Sequence, residues 1–281
     1  MEYTDMPVPY PPMTDEQVAA YLERLGIPGV ELKPDLETLR LLHSRHLVSI
    51  PFENLDTLNH KLTSMDRADM FEKIIMHKRG GLCSENNGLF AWLLETIGFD
   101  VTGYSARTIS EEDLYQPRRH SVNGVRIDGQ LYLCDVGVVR ESFRYPLKME
   151  DGLEQTDGIS WYRLDRHPFY GWLLLQKNKG HQDYSRYYGF TEEKQWLFDF
   201  DMSIGYTECH PNSRDAKANL INVLCDDCAH TLIGDQYWEY RDGEVTNLVK
   251  IEDAAMLVEL LRDKIGIEWE PNETYDGIRE Y

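Results

Sequence analysis

The sequence predicts an α+β protein of several domains, because its hydrophobic pattern changes character twice along the chain. Apolar residues recur at helical spacing over residues 14–98, and short β-favouring runs separated by turn sequences occupy residues 99–200. Residues 201–281 combine β-favouring runs with a closing helix. We therefore expect a helical N-terminal third, a middle third that forms an antiparallel sheet or small barrel, and an α/β C-terminal third.

The composition is that of a folded protein and excludes several function classes. Of the 281 residues, 42% are hydrophobic, and 49 Asp and Glu outnumber 29 Lys and Arg to give a net charge of -20. A surface this acidic repels phosphate backbones and anionic lipids, so neither nucleic acid nor a membrane is an expected partner. The chain has no apolar run of membrane-spanning length and no secretory pattern at its N-terminus, and its five cysteines argue against a disulfide scaffold. We expect a cytoplasmic protein.

Four helical runs are predicted in the N-terminal third, after an extended Pro-rich arm over residues 1–13. Thr14 followed by Gln17 is a capping-box pattern that starts the first run, and Asp35 is a plausible N-cap of the second. The four runs end before these four helix-breaking positions: Gly26, Pro51, Gly80 and Gly98.

The predicted strands are β-favouring runs bounded by turn sequences. They cover residues 101–108, 121–127, 131–139, 159–164, 172–176 and 184–190, then 219–224, 230–233, 237–241 and 244–249. A closing helix follows over about 252–264.

Cys83 lies where the fourth helix is expected to begin, directly after the segment Arg79-Gly80-Gly81-Leu82. Paired glycines let the backbone turn sharply and let another group approach closely. A helix N-terminus stabilises an anion, which favours a reactive thiolate at this position. The alternative is a buried cysteine that acts as a small apolar side chain.

A predicted hairpin brings a histidine and a carboxylate together. Asp128-Gly129 between two β-favouring runs predicts a two-residue loop, which pairs Ile127 with Gln130. In that register His120 and Asp135 are diagonal neighbours on one face of the sheet. The hairpin therefore predicts contact between the two side chains without any assumption about function.

Cys83, His120 and Asp135 are together the residue types of an activated thiol. The carboxylate fixes the tautomer of the histidine, and the histidine takes the proton of the cysteine. The alternative is a structural histidine and a surface acid.

The residues resemble the arylamine N-acetyltransferase family. The family's nucleophile motif, Arg-Gly-Gly-x-Cys-x-Glu-x-Asn, is complete from Arg79 to Asn87, and its His and Asp-x-Gly elements match His120 and Asp135-Val136-Gly137. The resemblance covers about residues 14–250. Further similar segments are Tyr21–Gly26, His46, Ile50–Leu55 and Tyr206–Ser213.

The resemblance implies a fold of three domains and a cysteine-protease-like Cys-His-Asp arrangement. A helical bundle (14–98) would carry Cys83, a β-barrel (99–200) would carry His120 and Asp135, and an α/β lid (201–281) would follow. It implies a ping-pong reaction of xenobiotic metabolism. Cys83 would accept an acetyl group from acetyl-CoA and pass it to an arylamine, arylhydrazine or arylhydroxylamine, with His120 as base and acid.

The resemblance also assigns binding residues. Arg119, Val138 and Val139 would contact the acceptor, and the CoA-binding residues would be Pro117, Tyr206, Asn212 and Ser213. Arg79, Glu85 and Asn87 would hold the catalytic loop and the domain packing.

The chain departs from the family pattern around the acceptor pocket. Members usually have Phe-Gly where this chain has Val138-Val139, which predicts a pocket of different shape and a costly backbone if φ must be positive at Val139. Arg140 could compensate by contacting phosphate. Asp215 stands where an aromatic residue is frequent.

Two other functions stay open from the residues alone. The same three side chains serve a thiol amidase or transglutaminase-like hydrolase, and the departures would also suit a catalytically weak relative that binds CoA or an amine. We expect a monomer or a weak homo-oligomer.

Two further groups of residues are interpreted as structural. Cys225-Asp226-Asp227-Cys228 with His230 could be read as metal ligands or a redox motif, but the segment looks like two strands around a polar turn, so no metal is expected. His43 and His46 are interpreted as packed histidines.

Overall fold

The structure, a computed structural model, describes residues 10–109, 116–139, 142–273 and 275–278. The helices are α1 (Asp15–Arg24), α2 (Leu36–Ser49), α3 (Leu55–Leu58), α4 (Arg67–Phe71), α5 (Cys83–Ile97), α6 (Asp201–Cys209) and α7 (Ala254–Leu260). The strands are β1 (Phe52–Glu53), β2 (Asp100–Thr108), β3 (His120–Ile127), β4 (Gln130–Cys134), β5 (Leu147–Lys148), β6 (Glu154–Thr156), β7 (Ser160–His167), β8 (Gly171–Asn178), β9 (Ser185–Gln195), β10 (Leu220–Leu224), β11 (Cys228–Ile233), β12 (Gln236–Arg241) and β13 (Glu244–Lys250). Wider helical turns continue α4 over Glu72–Met76 and α7 over Leu261–Ile265, and a tight turn over Leu197–Phe200 precedes α6.

The four helical runs predicted before residue 99 are confirmed, and their ends follow the local sequence. Thr14 caps α1 by exchanging hydrogen bonds with Gln17, and the Asp35 side chain accepts from the main chain of Thr38 at the start of α2. Gly98, at φ 103°, ends α5 in the left-handed conformation. α5 is buried along most of its length, so the other N-terminal helices pack around it.

The predicted Pro-rich arm lies partly outside the described residues, which exclude 1–9. From residue 10 onward the chain lies against α5. The Trp92 indole donates to the carbonyl of Pro11 at 2.9 Å, and the main chain of Met13 donates to the Thr96 hydroxyl at 2.9 Å. These contacts anchor the start of the described chain to the central helix.

The middle of the chain forms an eight-stranded antiparallel sheet in the order β5-β4-β3-β2-β9-β8-β7-β6. Its two edges nearly meet, because the Gln155 side chain on β6 exchanges hydrogen bonds of 2.8 and 3.0 Å with the backbone of Lys148 on β5. The sheet is therefore a nearly closed barrel, and its interior is filled by large apolar side chains. They include Tyr104, Val122, Leu133, Tyr162, Leu164, Trp172, Leu174, Tyr188 and Phe190.

The predicted hairpin between β3 and β4 is confirmed in its register, with Ile127 paired to Gln130. Asp128 at φ 50° and Gly129 at φ 80° form the loop, as a two-residue hairpin turn of this hand requires. The expectation that the second strand reaches residue 139 is wrong. β4 ends at Cys134, because the next residues leave the sheet to bond side chains from α2 and α5.

The C-terminal part forms a five-stranded antiparallel sheet in the order β1-β10-β11-β12-β13, with α7 packed on one face. Its first strand, β1, comes from the helical third and was not predicted. The side chain of Asn54 connects β1 to the C-terminal sheet. Its side-chain amide donates to the carbonyls of Asp215 and Ala218, and its side-chain oxygen accepts from the main chain of Leu220.

The sequence also did not predict α3, α6 or the short strands β5 and β6. The remaining predicted strands and the closing helix are present, with ends that differ by a few residues. No helix within the described ranges has the length and apolar character needed to cross a bilayer.

Candidate active site

Cys83 is the first residue of α5, at the end of a tightly packed loop. A Cβ added to Gly80 would overlap the carbonyl of Pro51, and one added to Gly81 would lie 2.9 Å from the side chain of Glu85. The two glycines are therefore required by close approach rather than by positive φ, since neither has one. Cys83 is partly exposed, which leaves its sulfur accessible from outside.

Buried ion pairs fix the position of this loop. The Glu85 carboxylate accepts from the main chain of Leu82 at 2.8 Å and from Lys73 Nζ at 2.9 Å. Burial raises the pKa of Glu85, and the charge of Lys73 opposes that rise. Arg79 donates to Glu53 at 2.7 Å and to Asp56 at 3.1 Å. The charged residues of the nucleophile motif thus fix the backbone that presents Cys83.

His120 lies between Cys83 and Asp135. Its Nε2 is 2.7 Å from Oδ2 of Asp135, and the Cys83 side chain lies beside the ring. Because Nε2 faces the carboxylate, the other ring nitrogen, Nδ1, is the one left for the sulfur. The Cys83 thiol additionally lies 3.6 Å from the carbonyl oxygen of Arg119.

The electrostatics of the pair favour a charged imidazole. Burial disfavours the imidazolium, but the negative charge of Asp135 and its hydrogen bond raise the pKa of His120 to about 10, with a further contribution from Cys83. For Asp135, burial favours the neutral acid, yet His120 and two further donors hold the pKa of the carboxyl below its usual range. At neutral pH the two groups are therefore an ion pair beside the Cys83 sulfur.

The Asp135 carboxylate is positioned by neighbours from three directions. Oδ1 accepts from the Asn87 side chain at 2.9 Å and from the main chain of Gly137 at 3.1 Å. The main-chain N–H of Asp135 donates to Nε2 of His43 at 3.1 Å. The two contacts to the carboxylate come from α5 and from the loop after β4, and the contact to the backbone of Asp135 comes from α2.

His43 contacts the candidate active site, although from the sequence it was interpreted only as a packed histidine. It is fully buried, and its Nδ1 is 3.1 Å from the carbonyl oxygen of Arg144. Nδ1 is therefore the protonated nitrogen, and Nε2 is free to accept from Asp135. Burial lowers the pKa of His43 to about 4, so the ring is neutral. No pattern in the sequence connects residue 43 with residue 135, because the contact is tertiary.

Of the three predicted acceptor residues, the structure places Arg119 and Val139 beside Cys83. Arg119 forms a short ion pair of 2.5 Å with Asp215, and Val138 is buried with its carbonyl accepting from Asn222 at 3.4 Å. Val139 packs in the same apolar group as Cys83. Since Val139 has no positive φ, the anticipated backbone cost does not arise there. Arg140 lies outside the described residues.

The predicted CoA-binding residues lie on two segments near Arg119. Pro117 is half-buried two residues before it, and Tyr206 on α6 stacks on His210 with ring centroids 4.2 Å apart. Asn212 is exposed in the loop after α6. Ser213 is buried, and its hydroxyl donates to the carbonyl of Thr207 at 2.6 Å, so it holds the shape of that loop.

α6 also covers Cys83. Ile204 and Thr207 on this helix line a small depression together with Cys83 and the Arg119–Asp215 pair. The arrangement is thus a partly exposed thiol, a buried His–Asp pair and a partly covered approach.

Comparison with known proteins identifies the family to which this fold belongs. A sequence model of the N-acetyltransferase family matches residues 35–274. The chain belongs to the arylamine N-acetyltransferase family and is accordingly an acyltransferase. Acetyl-CoA is the acetyl donor of this family.

Individual relatives are similar over most of their length. The arylamine N-acetyltransferase of Mycolicibacterium smegmatis is 30% identical over 89% of this chain and 92% of the relative. The solved structure of the Salmonella typhimurium arylamine N-acetyltransferase has a TM-score of 0.85 at 29% identity, covering 91% of this chain and 92% of that one. The Mycobacterium marinum enzyme, solved in complex with CoA, has a TM-score of 0.82 at 27% identity, with coverages of 89% and 93%.

Proposed function

We propose that this chain transfers an acetyl group from acetyl-CoA to arylamines, arylhydrazines or arylhydroxylamines by a ping-pong reaction through acetyl-Cys83. The observation that carries the proposal is the position of the His120 ring, with Asp135 on one nitrogen and Cys83 beside the other. Membership of the arylamine N-acetyltransferase family supports the substrate classes.

The first half-reaction follows from the charges of the site. His120 already holds the proton lost by the Cys83 thiol, and the Cys83 thiolate attacks the thioester carbonyl of acetyl-CoA. The tetrahedral intermediate then breaks the bond to the CoA sulfur, which takes the proton held by His120 and leaves as the thiol. The products are acetyl-Cys83, free CoA and a neutral His120.

The second half-reaction uses the neutral ring. The attacking atom on acetyl-Cys83 is the nitrogen of the acceptor or, for an arylhydroxylamine, its oxygen. His120 takes the proton of that atom during the attack. The Cys83 sulfur leaves as the thiolate and restores the pair with imidazolium. Asp135 keeps Nε2 of His120 bonded throughout, so the ring keeps its orientation between the two steps.

The binding residues belong to the same proposal. Arg119, Val138 and Val139 would contact the acceptor, because Arg119 and Val139 lie beside Cys83 and Val138 precedes Val139 in the chain. Pro117, Tyr206, Asn212 and Ser213 would form or shape the approach of CoA. The Asp215 partner of Arg119 neutralises the arginine, so a phosphate of CoA would have to compete with that carboxylate.

A panel of arylamines, arylhydrazines and arylhydroxylamines tested with acetyl-CoA examines the proposal. We expect acetylated products with the full-length protein, none above background with Cys83→Ala, and an unchanged rate with Cys209→Ala, which alters another free, exposed cysteine. Hydrolysis of acetyl-CoA without acetylation of any acceptor would instead favour a hydrolase, and binding of CoA without turnover would favour a binding relative.

A further inference from the structure

A second cysteine site lies at the hairpin between β10 and β11, apart from the residues around Cys83. Cys225 and Cys228 flank the two-residue turn Asp226-Asp227, and the main chain of Cys225 donates to the carbonyl of Cys228 at 2.8 Å. Their Cα atoms are 4.9 Å apart, within the range for a disulfide, and the two sulfurs are bonded. The strand–turn–strand context expected from the sequence is confirmed, and the hairpin brings the two sulfurs together.

We propose that Cys225 and Cys228 form a thiol–disulfide exchange site for low-molecular-weight thiols and disulfides. Two features beyond proximity carry this inference: an unequal exposure of the two sulfurs and a histidine beside the buried one. Neither residue takes part in the proposed acetyl transfer.

The unequal exposure sets the direction of attack. Cys228 is only 8% exposed, whereas Cys225 is partly exposed at the edge of the turn. An incoming thiolate therefore reaches the sulfur of Cys225, and the sulfur of Cys228 is the leaving group.

His230 donates a hydrogen bond to that leaving group. Its Nε2 is 3.7 Å from Sγ of Cys228, and its Nδ1 is 2.7 Å from the hydroxyl of Tyr237. When the Tyr237 hydroxyl donates to Nδ1, Nε2 carries the hydrogen and points it at the sulfur. In the reverse direction, the same N–H stabilises the Cys228 thiolate that attacks the mixed disulfide.

Nearby cations offset the negative charge of the turn. The Arg144 guanidinium donates to the carbonyl of Cys225 at 2.8 Å and lies 3.5 Å from the carbonyl of Cys228. The two acids of the turn are themselves paired, Asp226 with Arg45 at 3.7 Å and Asp227 with Arg241. The turn therefore does not present two uncompensated negative charges to a forming thiolate.

The exchange balances in two steps. A small thiolate attacks Cys225 Sγ, a mixed disulfide forms there, and the Cys228 sulfur leaves as a thiolate that accepts a hydrogen bond from His230 and then takes a proton from solvent. A second small thiolate then attacks the small-molecule sulfur of the mixed disulfide and releases the Cys225 thiol and a small disulfide. Two electrons pass from two small thiols to the protein disulfide, and the reverse sequence reoxidises the pair with the small disulfide as oxidant.

The test equilibrates the full-length protein with glutathione and its disulfide over a series of ratios, followed by acid quenching, alkylation and peptide-resolved mass spectrometry. We expect the Cys225–Cys228 peptide to pass from disulfide to dithiol within the series. Cys228→Ser is expected to accumulate glutathione on Cys225, and Cys225→Ser to accumulate at least about tenfold less on Cys228, because its sulfur is buried. Cys209→Ser serves as the control and should leave the transition unchanged.

The role of His230 is tested by rate. His230→Leu is expected to slow reduction by about tenfold, the effect of losing one hydrogen bond to a charged sulfur, without removing the transition. Tyr237→Phe, which keeps the ring in the core, should also slow reduction of the disulfide. A pair that stays fully oxidised or fully reduced across the series would overturn the proposal, as would equal rates in all variants. Stoichiometric zinc recovered with the dithiol form would replace the exchange site with a metal site.

Discussion

The main-chain N–H of Asp135 donates to Nε2 of His43 across 3.1 Å, so a ring from α2 fixes the backbone of the residue that bonds His120. Both partners are completely buried. The opposite nitrogen of His43 bonds the carbonyl of Arg144, which sets its tautomer. The proposed catalytic carboxylate is therefore positioned through its backbone as well as through its oxygens.

Replacing His43 should weaken the proposed reaction by misplacing Asp135. His43→Leu leaves the buried N–H of Asp135 without an acceptor, which costs about 1–3 kcal/mol. We expect kcat/KM to fall by about tenfold or more and its alkaline limb to move to lower pH, because a looser Asp135 stabilises the His120 imidazolium less. Steady-state kinetics across pH measure both effects.

His46→Leu is the matched control, since His46 is equally buried three residues away but bonds Tyr21 instead. His43→Gln should recover part of the loss, because its amide oxygen can accept from Asp135. If His43→Leu and His46→Leu have the same pH profile, His43 has only a packing role.

Asp135→Asn should remove the source of the raised pKa of His120. Burial then dominates and lowers the pKa of the ring, so the imidazolium is lost at neutral pH. By analogy with the Ser-His-Asp triad, where the corresponding change costs about ten-thousandfold in kcat, we expect a loss of about a thousandfold or more. Rapid-quench measurement of acetyl-Cys83 formation checks this, and a loss below about tenfold would show that the carboxylate does not orient the ring.

Gly137→Ala should disturb the site at its closest packing. A Cβ there would lie 2.6 Å from Cα of Cys83 and 2.8 Å from Nδ2 of Asn87. We expect destabilisation by about 1–3 kcal/mol and a loss of most activity, because backbone rather than a flexible side chain must move. Gly205→Ala on α6, with open space around the added Cβ, should be neutral or stabilising by up to about 1 kcal/mol. Urea unfolding compares the two, and equal stability would contradict the close approach.

Lys73→Met should destabilise the protein by leaving buried carboxylates unpaired. Lys73 bonds Glu85 at 2.9 Å and Asp56 at 3.1 Å, and breaking such a buried pair typically costs about 3–5 kcal/mol. Lys148→Met, which breaks an exposed pair with Glu150, should leave the unfolding free energy unchanged. Chemical denaturation of both variants provides the measurement, and similar midpoints would show that the buried pair adds nothing.

The raised pKa of His120 should appear as a loss of stability at alkaline pH. The folded protein keeps the proton up to about pH 10, whereas the unfolded chain releases it near 6.5. Stability from this group is therefore fully present below 6.5 and is lost as pH rises through about 10. The free energy of unfolding of the wild type should fall over that interval more steeply than that of His120→Gln, and parallel curves would contradict the shift.

Local sequence was sufficient to predict the hairpin that joins His120 to Asp135. The turn Asp128-Gly129 admits few conformations, and the period of two in a strand then fixes which side chains share a face. The position of Cys83 was equally local, because the glycines and the apolar run after it define a helix start.

The tertiary contacts that position these residues could not be predicted from local sequence. The sequence gives no sign that His43 meets Asp135, or that Asn54 ties β1 to the C-terminal sheet, because these contacts join residues 92 and more positions apart. The end of β4 at Cys134 has the same origin, since hydrogen bonds from other elements draw the next residues out of the sheet.

Mass spectrometry of the protein mixed with acetyl-CoA in the absence of acceptor shows whether Cys83 carries the acetyl group. We expect one added acetyl group on the peptide that contains Cys83, and its removal when an arylamine is supplied. An unmodified Cys83 in protein that nevertheless acetylates the arylamine would contradict it, because the acetyl group would then pass to the acceptor without bonding to this sulfur.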